Sequence, residues 1–250
     1  MGVSGVFPKN QLNTVMDTIK QIIIIGGGNS IKKGLSLGLQ DHLNHKFVIG
    51  NNYSFRHFPI TFLTFGDKNF YKSENLSKNP DIYEELKSLP LIIGMDKKNR
   101  LKDIIHPNTI LLKNVTYCNQ IKSAREGFYT KNMLTGVFSI SLACFLLDYI
   151  GEIYLLGFDW NSTGDTHYYS KEEINHRGQN WHGCYSSHNP EEVFHPFLKF
   201  DKIKIYNVNL ESKINTFEKI TYVQFINQLS NKIENQEELR NYIRNKLCMK

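Results

Sequence analysis

Glycine, asparagine, histidine and tyrosine cluster in this sequence in ways that bring open backbone, amide side chains and titratable rings close together along the chain. Gly26-Gly27-Gly28-Asn29-Ser30 follows the apolar run Gln21–Ile25. Glycines let the backbone approach a ligand, and the amides of a strand-to-helix turn suit an anion or a ribose phosphate. The spacing is not the dinucleotide fingerprint, because position 31 is Ile31, and the phosphate-loop spacing with its lysine is absent. Gly50-Asn51-Asn52 and Gly157-Phe158-Asp159-Trp160 end two further apolar runs. Asn51 and Asn52 can hydrogen-bond a base or ribose, and equally can form an ordinary turn. Thr135-Gly136-Val137 opens a long apolar segment, where Thr135 serves as a helix cap or as a ligand contact.

The densest group is polar. His167, His176, His182, His188 and His195 are five of the nine histidines, and Tyr168, Tyr169, Cys184 and Tyr185 lie among them. Histidine titrates near neutrality and tyrosine hydroxyls donate to phosphate oxygens, so acid–base work beside a phosphate fits this composition. A metal site fits it less well, because no His-Glu-x-x-His pattern or paired-ligand spacing occurs. Most of these histidines are therefore expected to be bystanders.

The elements that must position these residues alternate between short apolar runs and helix-like segments. That pattern predicts an α/β architecture with a largely parallel sheet. Strands are expected at Gln21–Ile25, Lys46–Ile49, Ile60–Phe65, Leu91–Gly94, Thr109–Leu112, Glu152–Leu156 and Ile203–Val208. Helices are expected from Ser30, over Pro80–Leu89 and Asn132–Tyr149, and from Pro190 toward Phe200. Three strands end in candidate ligand chemistry, and in open α/β sheets ligands bind outside the carboxyl ends of the strands. Residues 161–189 form a long polar connection of the kind that closes over ligands as a lid. Residues 1–230 are expected to form one domain, followed by a polar, helical tail at 231–250.

Composition bounds the reading. The 250 residues are 40% hydrophobic and 12% aromatic, enough to bury a core. No basic start with an apolar run appears at the N-terminus, and the longest apolar stretch, Val137–Ile150, is interrupted by Ser139, Ser141 and Asp148. The four cysteines are scattered, so neither a zinc ribbon nor a disulfide framework is indicated, and a reducing cytoplasm is expected. The +6 net charge is dispersed, without a basic block or interleaved aromatic platform, which gives only mild support for a nucleic-acid partner.

In their order along the chain, these segments resemble the bacterial family-42 sialyltransferases. Gly26–Lys32 is similar to that family's G-N-G-P-S-L-K opening, departing at Gly27 and Asn29. Val48–Tyr53 resembles its second-strand end, and Thr135-Gly136-Val137 its Ser-Gly-Val helix start. Gly151–Trp160 is similar to K-E-I-Y-L-S-G-I-D-F, and Ser187-His188-Asn189 resembles the segment that carries the family's catalytic histidine. The likeness spans roughly residues 20–225. A broader relative is the DUF115-like, or motility accessory factor, group, where the glycine-rich opening also looks similar.

The resemblance implies a Rossmann-like, GT-A-variant-like sheet and a cytoplasmic glycosyltransferase. It would move a sugar, a CMP-activated nonulosonic acid among the options, from a nucleotide donor to an acceptor hydroxyl. His188 would be the general base, and Tyr168 and Tyr169 would stabilise the departing phosphate. Gly26, Gly27, Gly28, Asn29, Ser30, Asn51, Asn52, Thr135, Gly136, Asp159 and Trp160 would hold the nucleotide, with His167 and His182 as further lid residues. Asp159 is followed by Trp160-Asn161 and not by a second aspartate, so no metal or other cofactor is expected beyond the donor. The family's oligomers make a homo-oligomer an expectation by resemblance alone. Three other readings stay open: a DUF115-like diphosphokinase using ATP with magnesium, a transferase acting on modified nucleic-acid bases, and a non-catalytic nucleotide-binding module.

Overall fold

Four consecutive isoleucines, Ile22 to Ile25, point alternately to the two faces of a sheet and are almost wholly buried on both. Such a β-branched run needs cover above and below, which is the situation of a central parallel strand. A computed structural model describes residues 19–65, 80–96, 108–113, 134–160, 167–169 and 189–248. In chain order these form β1 (Gln21–Ile25), α1 (Ile31–Leu35), α2 (Leu39–Leu43), β2 (Val48–Asn51), a 3-10 turn (Asn52–Arg56) and β3 (Phe62–Phe65). There follow α3 (Pro80–Ser88), β4 (Ile92–Asp96), β5 (Thr109–Lys113), α4 (Thr135–Leu146) and β6 (Gly151–Leu156). The chain continues through α5 (Pro190–Phe194), a 3-10 turn (His195–Lys199), β7 (Ile203–Asn207), β8 (Glu218–Lys219), α6 (Tyr222–Gln228) and α7 (Gln236–Cys248).

The eight strands lie in the order β5-β4-β3-β2-β1-β6-β7-β8, and every pairing among them is parallel. This is the expected Rossmann-like α/β fold. From β1 the chain first builds outward to β5, then crosses back and adds β6 on the other side of β1. The order of addition therefore reverses at the β1–β6 boundary, where open sheets form a crevice at their carboxyl ends.

One face is covered by α4, α5 and α7, through side chains such as Phe138, Phe194 and Ile243. The other is covered by α1, α2, α3 and α6, through Ile31, Leu43, Leu86 and Phe225. Among the described residues, no helix is long and apolar enough to cross a membrane.

Local differences from the sequence reading have physical causes. β2 begins at Val48 because the Lys46 amide closes the end of α2 on Leu43 O, and it runs on through Asn51. The helix from Pro190 changes to a 3-10 turn at His195, because Pro196 has no N–H to continue the α-helical pattern. α4 ends at Leu146, and Asp148 and Tyr149 turn left-handed with φ of 49° and 63°.

Candidate active site

At the β1–β6 boundary two backbones touch. The amides of Gly26 and Gly28 donate to Leu156 O at 2.7 Å and Gly157 O at 2.9 Å. A Cβ on Gly28 would lie 2.6 Å from both the Gly157 carbonyl oxygen and the Asp159 carboxylate, so glycine is required there by close approach. Gly157 adopts φ +70°, a left-handed conformation that turns the chain out of β6. These glycines make the strand-to-helix turn fit against its neighbour.

Asp159 is buried, and its carboxylate holds that turn. Oδ2 accepts from the Ser30 amide at 2.8 Å, while Oδ1 accepts from the Ser30 hydroxyl and from Asn209 Nδ2, the latter at 2.9 Å. The protein's own anion thus occupies the start of α1, the place an external phosphate was expected to take. The Tyr222 ring packs on Gly34 of α1. Burial pushes its hydroxyl well above the ordinary tyrosine range, the Asp159 charge adds to this, and the Ser30 hydroxyl opposes it. The backbone beyond β6 is fixed from the far side, where Ser212 Oγ and Asn207 Nδ2 donate to Phe158 O at 2.7 and 3.0 Å.

The neighbouring loop follows β2. Asn51 is its last strand residue, not a turn, and Asn51 Oδ1 accepts from Thr64 Oγ1 at 2.6 Å and Ser139 Oγ at 2.5 Å. These bonds tie β2, β3 and α4 together and leave the Asn51 amide nitrogen as the group able to donate outward. Asn52 takes a left-handed φ of 51°. Asn29 Oδ1 and Asn52 Oδ1 are buried acceptors with no hydrogen-bond partner among the described residues. Buried polar atoms are normally satisfied, so a ligand's hydroxyl or amino donors suit these two positions.

Thr135 is the first residue of α4, with Leu134 at the cap position. A Cβ on Gly136 would meet the Phe158 ring at 2.8 Å, so the first turn of α4 packs on the residue following Gly157. Through Phe158 and Asn51 the start of this helix faces the carboxyl ends of β6 and β2. Trp160, at φ +56°, sets its ring edge-on to Phe194 of α5, with centroids 5.6 Å apart.

Residues 167–169 lie on the glycine loop. Gly28 and His167 form an antiparallel bridge, and the Tyr168 amide donates to Gly27 O at 3.1 Å. Tyr169 meets Tyr53 of the 3-10 turn at 5.7 Å, and Tyr168 packs edge-on against His57 at 5.3 Å and Phe58 at 5.8 Å. His188, His182 and His176 lie outside the described residues, as does most of the 161–189 connection. His195 is exposed at the start of its 3-10 turn. Among the described residues no group of three His, Cys, Asp or Glu side chains is placed to hold a metal ion.

The structure therefore brings Gly26 to Ser30, Asn51, Asn52, Thr135, Gly136, Asp159, Trp160 and residues 167–169 to one end of the sheet. Sequence reasoning missed Thr64, Ser139, Asn207, Asn209 and Ser212. Ser139 carried a usable signal as a polar residue inside an apolar helix. Asn209 follows the late strand and lies far along the chain from the turn it helps to hold.

A doubly wound parallel sheet with polar loops gathered at its strand-order reversal defines a ligand-binding α/β class. No family model matches the sequence, and no curated protein matches it. Among solved structures, the chain is similar to the monofunctional alpha-2,3-sialyltransferase Cst-I from Campylobacter jejuni. Identity is 19%, the match covers 94% of this chain and 88% of that one, and the TM-score is 0.54. It is also similar to the sialyltransferase CST-II in complex with a trisaccharide acceptor and CMP, at 17% identity, 81% and 86% coverage and a TM-score of 0.50. The chain shares the fold of these sialyltransferases.

Proposed function

We propose that this chain is a glycosyltransferase that transfers a sugar from a nucleotide donor, with a CMP-activated nonulosonic acid as the first candidate, to an acceptor hydroxyl. The observation that carries this reading is the convergence of the loops after β1, β2 and β6 and the start of α4. They meet at the strand-order reversal of a fold shared, over 94% of the chain, with a sialyltransferase. That the related CST-II structure holds CMP and a trisaccharide favours CMP as the nucleotide and a glycan as the acceptor.

In this scheme the Asn51 amide and the unpartnered oxygens of Asn29 and Asn52 meet the nucleoside. Asp159 acts indirectly by fixing the turn that carries Asn29. The acceptor oxygen attacks the anomeric carbon, and its proton passes to His188 as general base. The bond from that carbon to the phosphate oxygen breaks, and its electron pair leaves with the nucleotide. Aromatic cover from Tyr53 and Tyr169 keeps water from competing with the acceptor.

A thermal-shift panel of CMP, UDP, GDP, ADP and ATP, each with and without magnesium, tests the reading. A ligand at 100 times its Kd adds about 2.7 kcal/mol of stability. CMP is expected to stabilise the chain without magnesium, and His188→Ala to keep that stabilisation while losing sugar transfer. Stabilisation by ATP only with magnesium would replace this reading with a diphosphokinase.

A further inference from the structure

The phosphate of a nucleotide donor needs hydrogen-bond donors and positive charge where it leaves. At the start of α1 the donors of Ser30 are already engaged by the Asp159 carboxylate. A second negative group does not fit beside that carboxylate, so the phosphate must be met elsewhere on the glycine loop.

Gly27 marks the place. A Cβ there would lie 2.7 Å from His167 Cδ2, 3.4 Å from His167 Nε2 and 3.0 Å from the Tyr169 hydroxyl. The imidazole and the phenol therefore close over Gly27, and the missing side chain is what lets them come so near. The backbone bridge from His167 to Gly28 and the bond from the Tyr168 amide to Gly27 O hold the segment in that position. His167 is only partly buried, so a ligand can reach it, whereas the Tyr168 ring is turned into the packing with His57 and Phe58.

We propose that His167 is the phosphate ligand of this site, its imidazolium binding the nucleotide phosphate over Gly27 together with the Tyr169 hydroxyl. The proposal rests on the nucleotide-donor reading above and assigns its leaving-group contact to a residue whose charge depends on pH. As the bond between the anomeric carbon and the phosphate oxygen breaks, the electron pair stays on that oxygen. His167 N–H donates to it, while the acceptor's proton goes to the general base. Imidazole titrates near 6.5 and a phosphate monoester's second ionisation lies near 6, so the cation and the dianion coexist around neutrality. The Tyr169 phenol lies beside His167, at 5.0 Å between rings, and the Asp159 carboxylate lies at the neighbouring Gly28. The latter is engaged with Ser30 and Asn209.

Titration calorimetry with cytidine and with CMP separates the phosphate contact from the nucleoside contacts. In the wild-type chain CMP is expected to bind more tightly than cytidine. His167→Ala should cut that ratio about tenfold or more, the size of one charge-assisted hydrogen bond, and leave cytidine affinity unchanged. CMP affinity should fall from about pH 7 to 9 in the wild type and stay flat there in His167→Gln, which keeps a donor but no charge. An unchanged CMP-to-cytidine ratio in His167→Ala overturns the proposal, as does an equal loss for both ligands, which would mark a structural role. A wild-type chain that binds neither ligand refutes the CMP-donor reading itself, and the proposal falls with it.

Discussion

A buried carboxylate requires donors, and Asp159 has three of them, from the Ser30 amide, the Ser30 hydroxyl and Asn209 Nδ2. Asn209 cannot turn its oxygen toward residue 159, because that oxygen accepts the Glu211 amide at 3.1 Å. Asp159→Asn would therefore place a donor against a donor in either orientation, facing Ser30 N–H or Asn209 Nδ2. The expected loss is about 2–3 kcal/mol, read as a lower urea midpoint at constant slope. A change below about 0.5 kcal/mol, as for an ordinary surface substitution, would show that this carboxylate does not hold the turn. At this scale the sequence displayed the turn but not the lock. Three glycines between an apolar run and a helix are visible in any sequence. The partners at Asn209 and Ser212 are joined to Asp159 only by folding, and no local pattern links them. Asn51 was likewise legible as a polar strand end. Its bonds to Thr64 and Ser139 depend on β3 and α4 arriving beside it.

Among the elements, the strands were the most legible, because β-branched runs bounded by glycine can hardly form anything else at that length. β8 escaped notice because two residues at a sheet edge carry no periodicity. α6 also went unread, although its start carries a local signal: Thr221 and Gln224 form a capping box, the Thr221 hydroxyl accepting from Gln224 N and the Gln224 side chain accepting from Thr221 N. The last helix is polar in composition, yet α7 buries Leu239, Tyr242, Ile243 and Leu247, which share one face and enter the same cluster as α4 and β1. Arg244 donates to Pro90 O at 2.6 Å and Lys246 pairs with Asp148 at 2.6 Å, so polar bonds frame the apolar contact. Ile243 has no exposed surface, and Ile243→Ala is expected to cost about 2–5 kcal/mol in urea denaturation. A loss within about 0.5 kcal/mol would mean that α7 rests on the sheet without contributing to its stability.

For the whole molecule, covering both faces of one parallel sheet forces tyrosines inward. Tyr154, Tyr222 and Tyr242 are each nearly inaccessible and belong to three different contacts: the β6–β7 ring stack, the α1–α6 contact and the α4–α7 contact. Burial is the main cause that raises all three phenols far above the ordinary value of 10.0, aided by Glu152 at Tyr154, by Asp159 at Tyr222 and by Asp148 at Tyr242. A group whose folded pKa is raised gives stability that is complete below its unfolded pKa and is lost as pH rises from there toward the folded value. Folding free energy should therefore begin to fall near pH 10, by about 1.4 kcal/mol per pH unit for each tyrosine that ionises only on unfolding. Lys246 acts in the opposite sense. Burial lowers its proton affinity in the folded state, although its bond to Asp148 works against the shift. The unfolded chain then binds more protons just below 10.5, and stability rises with pH through that lysine alone. Tyr206 is raised as well, by burial and by the charges of Glu152 and Glu218, so four tyrosines oppose the lysine and the net trend is downward. Urea titrations from pH 8 to 11 should show a plateau followed by a decline, and Tyr242→Phe should lose one tyrosine's share of that slope while starting from a lower plateau, since it forfeits the bond to Leu146 O. A midpoint that holds steady to pH 11 would mean that these phenols reach water without global unfolding, and that the cover on both faces of the sheet opens locally before the sheet itself does.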